Sequence, residues 1–132
     1  MNSKLINTKN IELLLNFTYT DVEESLDLRI PKFKLNGKLS YVFGPEFSAE
    51  LHYNYTDDRK DSYYNNTNFQ TESVMLNRYH LFDLYLQHKL FDDNCTLLAS
   101  FQNIFNSSFE ELYGYSTLGR NVSIGLQIKL AK

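Results

Sequence analysis

The chain has 132 residues, enough for one ordinary domain, and a formal net charge of −3. That charge leaves no basic footprint for nucleic acid and no polybasic patch for an anionic membrane surface. Charged residues recur too often for the ~18 consecutive apolar residues of a spanning helix, whereas a strand of a membrane barrel needs only about 9–11 alternating residues.

Ten Tyr and ten Phe without Trp, in short alternating runs and with no sustained helical spacing, point to an all-β chain. The first ten residues, Met1 to Asn10, lack the apolar core and cleavage site of a signal peptide, so none is expected there. From Ile11 the side chains alternate. Ile11, Leu13, Leu15, Phe17 and Tyr19 oppose Glu12, Asn16, Thr18 and Thr20, and predict a strand over about 11–20. The charged stretch 21–32 ends in Arg29-Ile30-Pro31-Lys32, a loop or strand edge because proline cannot donate to a ladder. A second strand is predicted over about 33–43, closed by the Gly44-Pro45 turn, and a third over about 46–56, where the alternation is cleanest.

The insert 56–78 is crowded with Asp57, Asp58, Asp61, Asn65, Asn66 and Asn68, and reads as a long functional loop. Further strands are predicted over about 79–90, 95–105 and 121–130, with a tight turn at Phe91-Asp92-Asp93-Asn94. In the last of them Val122, Ile124, Leu126, Ile128 and Leu130 oppose Ser123, Gly125, Gln127 and Lys129. The links alternate long, short, long, short, long. In an antiparallel meander this places every long loop at one end and every tight turn at the other, as in outer-membrane barrels. Tyr19, Phe33, Phe43, Phe47, Tyr53, Tyr55, Phe82 and Phe105 near strand ends suit the interfacial girdles of such a barrel, or the core of a soluble β-sheet. The fold class expected is therefore all-β: an up-and-down meander of about six long strands forming a partial transmembrane β-barrel, with a small soluble β-sheet protein binding through loop 56–78 as the alternative.

Sites of chemistry are few. His52, His80 and His88 lie on separate segments without ligand spacing, and Asp57, Asp58 and Asp61 lack the glycine and terminal glutamate of a calcium loop, so no metal or cofactor is expected. Glu110-Glu111 in a loop reads as solvated rather than as an acid–base pair, and no enzyme is expected. The single Cys95 has no internal disulfide partner and reads as a small apolar side chain. Tyr63, Tyr64, Tyr113 and Tyr115 are the candidate substrate-binding residues, because tyrosine offers contact area with a polar tip.

Asn103-Ile104-Phe105-Asn106, then Phe109-Glu110-Glu111, then Gly114-Tyr115-Ser116-Thr117-Leu118-Gly119-Arg120 and the closing alternating strand resemble the C-terminal end of a TonB-dependent outer-membrane receptor. Upstream, Arg29-Ile30-Pro31-Lys32-Phe33 and Tyr53-Asn54-Tyr55 before Asp57-Asp58-Arg59 are similar to loop-to-strand passages of the same family. The resemblance implies that 1–132 is the C-terminal segment of a receptor barrel in the outer membrane of a Gram-negative bacterium, contributing wall and extracellular loops to uptake of a siderophore, cobalamin or similar nutrient. Members of that family are several times longer and carry a plug domain, a TonB-engaging segment and about 22 barrel strands. The chain is accordingly expected to be a fragment without a plug domain, not transport-competent alone. The partners implied are outer-membrane lipid, the missing plug and barrel strands, and TonB only through the missing part. The family closes on an aromatic residue where this chain has Leu130.

Overall fold

A computed structural model describes residues 2–7 through their backbone, and residues 10–23, 27–91 and 94–130 in full. Asp92, Asp93, Ala131 and Lys132 lie outside the described residues, so the turn expected at 91–94 is described only in part. The strands, in chain order, are β1 (Asn2–Asn7), β2 (Ile11–Tyr19), β3 (Phe33–Val42), β4 (Phe47–Thr56), β5 (Arg59–Asn65), β6 (Gln70–Leu76), β7 (Tyr79–Leu90), β8 (Cys95–Gln102), β9 (Glu110–Leu112), β10 (Tyr115–Ser116) and β11 (Asn121–Ile128). One seven-stranded sheet, ordered β1-β2-β3-β4-β7-β8-β11, carries the fold, and the pairs β5-β6 and β9-β10 form separate hairpins.

Every neighbour in the main sheet is antiparallel and next in the meander, so the up-and-down topology expected from the sequence is present. The six long strands are joined at one edge by β1, whose polar sequence shows no alternation; it pairs with β2 from Asn2 opposite Phe17 to Asn7 opposite Glu12. The insert 56–78 also holds more structure than a loop, since β5 and β6 pair over their full lengths from Arg59 opposite Leu76 to Asn65 opposite Gln70. Strand β8 stops at Gln102 because Asn103 takes a left-handed backbone, φ 49°, which ends ladder pairing.

Register makes the two faces continuous across strands. Leu39 lies opposite Leu13 and Leu51, Leu51 opposite Leu84, and Leu84 opposite Phe101. Ser40 lies opposite Glu12 and Glu50, Glu50 opposite Tyr85, and Tyr85 opposite Ser100, which faces Ser123. With a side-chain period of two, a slip of one residue at any pair would mix these rows, and no pair in the main sheet slips.

Among the described residues no second layer covers the apolar face. Leu76, in a hairpin outside the sheet, is the one large apolar side chain buried among the described residues, while Phe43, Ile124 and Leu126 are 60%, 76% and 60% exposed. Aromatic rings gather at both ends of that face. Near the long loops Tyr19 meets Phe33 (5.1 Å between centroids), Tyr53 meets Phe82 (4.8 Å) and Phe82 meets Phe105 (5.1 Å). Near the tight turns Tyr41, Phe43, Phe47 and His88 form a chain with spacings of 4.2, 5.2 and 6.0 Å. Leucine and alanine fill the middle, at Leu13, Leu15, Leu39, Ala49, Leu51, Leu84, Leu86 and Leu97.

Gly37 is the close approach within this face. A Cβ there would sit 3.2 Å from Leu15 Cδ2 and 3.8 Å from Tyr53 Cβ. Gly37→Leu is expected to overpack the row and to cost about 1–3 kcal/mol, read as a lower urea midpoint for loss of sheet circular dichroism in detergent micelles, with an unchanged spectrum beforehand.

Candidate functional site

The three long links, 20–32, 56–78 and 103–120, meet at one end of the sheet, and the meeting place is β5. Its residues alternate like any strand, but the periodic groups are polar. Arg59, Asp61 and Tyr63 share one face with Leu76, Val74 and Glu72 of β6. Asp61 is 1% exposed, and three donors satisfy it. Its Oδ1 accepts from Arg29 Nε at 2.7 Å and from the Ser62 amide at 2.8 Å, and its Oδ2 accepts from the Tyr113 amide at 2.8 Å. Burial alone would raise the Asp61 pKa, but the Tyr113 amide, Arg29 and the Ser62 amide outweigh it and hold the carboxyl below its ordinary range.

Arg59, 3% exposed, donates through Nη2 to the Glu110 carbonyl, lies 3.8 Å from Glu111 Oε2, and places its guanidinium 5.2 Å from the centre of the Tyr79 ring. Tyr79 in turn donates to Glu111, and its ring lies 4.4 Å from Phe109. On the other side, the Arg29 amide donates to the Lys60 carbonyl at 2.7 Å beside a parallel bridge between Leu28 and Lys60, and Lys60 Nζ pairs with Asp27 at 2.9 Å. The loop 20–32 therefore stitches to the edge of β5, and the loop 103–120 lies on its face. At the far end of the hairpin the Glu72 carboxylate accepts from Tyr63, Asn65 and Asn68. The Tyr63 hydroxyl, then Asn68 and Asn65, hold its pKa down, and Glu72 raises that of Tyr63.

Of the four candidate tyrosines, the structure brings two together: the Tyr63 and Tyr113 rings lie 4.6 Å apart at 31°. Tyr64, 56% exposed, is on the opposite face of β5, and Tyr115, 70% exposed, is on β10. No ring contact joins them to the pair among the described residues. Sequence reading singled out none of Arg29, Arg59 and Asp61 for this role. The available signal was the polar period-2 run Arg59, Asp61, Tyr63, hidden because no apolar partner set marks it as a strand.

The Asn-x-x-Asn motif explains the neck of the third loop. The Asn103 side chain donates to the Ser107 carbonyl at 2.9 Å and accepts from the Ser107 amide at 2.7 Å, while its backbone N–H donates to Asp83 at 2.8 Å. Asn106, also left-handed at φ 53°, accepts from the Arg120 amide at 2.9 Å. Gly119 leaves room for this bond, because a Cβ there would lie 2.7 Å from Asn106 Oδ1 and displace it.

The histidines are dispersed: His52 bonds Glu50 at 3.1 Å on the polar face, His80 bonds the Tyr53 hydroxyl at 2.8 Å, and His88 lies against Phe47. No three His, Cys, Asp or Glu among the described residues form a group that could hold a metal. The polar face carries a shallow groove of about 460 Å³ lined by Ser48, Glu50, Tyr85, Gln87, Ser100 and Ser123 among others.

Solved structures carry the same arrangement of strands. The ferripyoverdine receptor of the outer membrane of Pseudomonas aeruginosa, bound to ferripyoverdine, superposes with a TM-score of 0.77 at 16% identity, over 90% of this chain and 17% of that one. The siderophore receptor PirA from Acinetobacter baumannii superposes with a TM-score of 0.78 at 15% identity, over 94% and 20%. FpvAI in complex with pyocin S2 gives 0.78 at 16% identity, over 90% and 17%. The chain has the fold of a stretch of outer-membrane β-barrel wall. It spans about a fifth of the length of the receptors it matches, and no protein-family model and no curated protein matches its sequence. The barrel likeness agrees with the resemblance carried by Asn103 to Leu130.

Asn103→Ala and Gly119→Ala test the neck of this barrel loop. Each is expected to cost about 1–3 kcal/mol by leaving backbone donors of the loop unpaired. Amide hydrogen exchange should accelerate first at Ser107 for the former and at Arg120 for the latter, with β3, β4 and β7 unaffected.

Proposed function

We propose that the chain is a C-terminal wall segment of a TonB-dependent receptor in the outer membrane of a Gram-negative bacterium, contributing strands and extracellular loops to uptake of a siderophore, cobalamin or similar nutrient. The observation that carries this reading is the uncovered apolar face, leucine-rich in the middle and aromatic at both ends, on strands of 8 to 12 residues. Such a face suits a bilayer about 25 Å thick in its apolar band, with rings at the two interfaces. The role is one of framework and capture, not catalysis: the polar face, with Lys38, Glu50, His52, Gln87 and Gln127, fronts the lumen, and the loop layer on β5 fronts the medium.

Strand direction supports the expectation that the segment does not transport alone. β1 is antiparallel to β2, which leads into the long link 20–32, and β11 follows the long link 103–120, so both edge strands of the sheet run from the loop end to the turn end. An antiparallel partner for each must run the other way. Closure between β11 and β1 therefore takes an odd number of further strands, and a second copy with its loops on the same side could add only a parallel seam.

Folding in micelles tests the reading. Circular dichroism is expected to show sheet in detergent or lipid and not in plain buffer; a monomeric, cooperatively melting sheet in buffer would instead mark a soluble β-sheet binding protein. Within the micelle-folded chain, Leu84→Arg in the middle of the apolar face should cost about 2–4 kcal/mol. Gln87→Arg on the polar face should leave the urea midpoint nearly unchanged.

A further inference from the structure

We propose that Asp61 is the catch of a three-loop latch, through which the long loops 20–32, 56–78 and 103–120 open and close at the barrel mouth as one layer. Among the described residues the loops share no apolar core beyond the contact of the Tyr63 and Tyr113 rings. What joins them is a set of polar contacts on successive residues of β5, and these divide unequally. Lys60 holds the first loop, through its backbone carbonyl and its ion pair with Asp27. Arg59 holds the third, through the Glu110 carbonyl and Glu111. Asp61 takes donors from both, Arg29 of the first and the Tyr113 amide of the third, on its two oxygens. Losing that carboxylate's charge therefore weakens both seams at once, whereas breaking either neighbour's contact weakens one.

The closed layer also carries a cost that opening would relieve. Arg59 is nearly fully buried, and its Nη1 has no hydrogen-bond partner among the described residues. A buried donor left unpaired is destabilising, and its place beside the catch makes the layer poised rather than locked. The charged and titratable groups around Asp61 are Asp27 and Arg29 of the first loop, Arg59, Lys60 and Tyr63 of β5, Glu72 of β6, and Glu110, Glu111 and Tyr113 of the third loop. Because Asp61 is held ionised in the closed layer, its contribution is present above the ordinary aspartate pKa of about 3.9 and is lost as pH falls through the lower folded value.

The latch rests on the barrel reading for the micelle in which the chain is folded, and on contact geometry for the rest. Amide exchange of the complete chain in micelles, corrected for the intrinsic rate at each pH, tests it. Residues 27–30, 59–63 and 110–113 are expected to lose protection tenfold or more at one common midpoint below pH 4, while β3, β4 and β7 keep theirs. Asp61→Asn should show that loss already at neutral pH and no further acid step, and Asp58→Asn, at a half-buried carboxylate that accepts from the Arg78 amide at 2.6 Å, should leave the protection of 27–30 and 110–113 as in wild type. Separate midpoints for the two outer loops, or an Asp61→Asn effect confined to β5 and β6, would overturn the latch and leave the barrel standing. A chain that gains no sheet in micelles would overturn both. Should Asp61→Asn fail to fold, the wild-type acid step decides by itself, since common or separate midpoints are read without any variant.

Discussion

The constraint on which this structure depends is that its main sheet has no covering layer. A soluble sheet buries one face on a helix or on a second sheet, and its core is the set of side chains between them. Here the main sheet's apolar rows run side by side for the length of the strands with no other layer of the described residues against them. Stability has to come from the ladder itself and from whatever apolar medium meets that face. This explains why the register is kept without slip across the meander: a one-residue error would put Lys38, Glu50 or Asp83 into the apolar rows and Leu39, Leu51 or Leu84 onto the polar face. It also explains the aromatic ends. Rings with an apolar body and, in tyrosine, a polar tip suit the boundary where the surroundings change from hydrocarbon to water, and the hydrogen bond of Tyr53 to His80 occupies such a tip at the loop end.

The main sheet was legible in the sequence because that same constraint writes itself there as strict alternation. The order of long and short links and the run from Asn103 to Arg120 added topology. Three features were not legible, each for a physical reason. β1 is a strand because the open edge of β2 offers it a ladder, and a ladder is made by backbone groups, which leave no mark on side-chain pattern. The β5 strand of the β5-β6 hairpin carries no alternation of polar and apolar residues, because the face it shares with Leu76 and Val74 is made of Arg59, Asp61 and Tyr63. The end of β8 was set by a left-handed asparagine, a backbone state that residue identity permits but does not dictate.

The candidate tyrosines show the same limit at the level of a site. Tyr63 and Tyr113 meet because the loop 103–120 folds onto the face of β5 that carries Tyr63, and nothing local to either residue encodes the meeting. Tyr64, one position from Tyr63, is on the other face for the simple reason that β5 is a strand. Treating the insert as a loop made the two equivalent; treating it as a strand separates them. The two asparagines of the Asn103 to Asn106 motif carry a comparable lesson. Their value lies in pairing a left-handed backbone with a carboxamide that binds the loop's backbone, Asn103 locally at Ser107 and Asn106 across the loop at Arg120.

Wall and loop layer thus solve the problem of folding without a shared core in opposite ways. The wall leaves its apolar groups uncovered and satisfies its backbone by ladder pairing. The loop layer buries polar groups, with Asp61, Arg59 and Asn103 among the least exposed side chains, and satisfies most of them with backbone amides and carbonyls from distant parts of the chain. A carboxylate or carboxamide with several acceptor or donor sites can gather segments that have too little apolar surface to hold each other. Such a layer is specific in geometry and weak against loss of one partner, because each buried polar group is stable only while its bonds are complete. That combination suits loops that must keep a defined arrangement and still be able to change it.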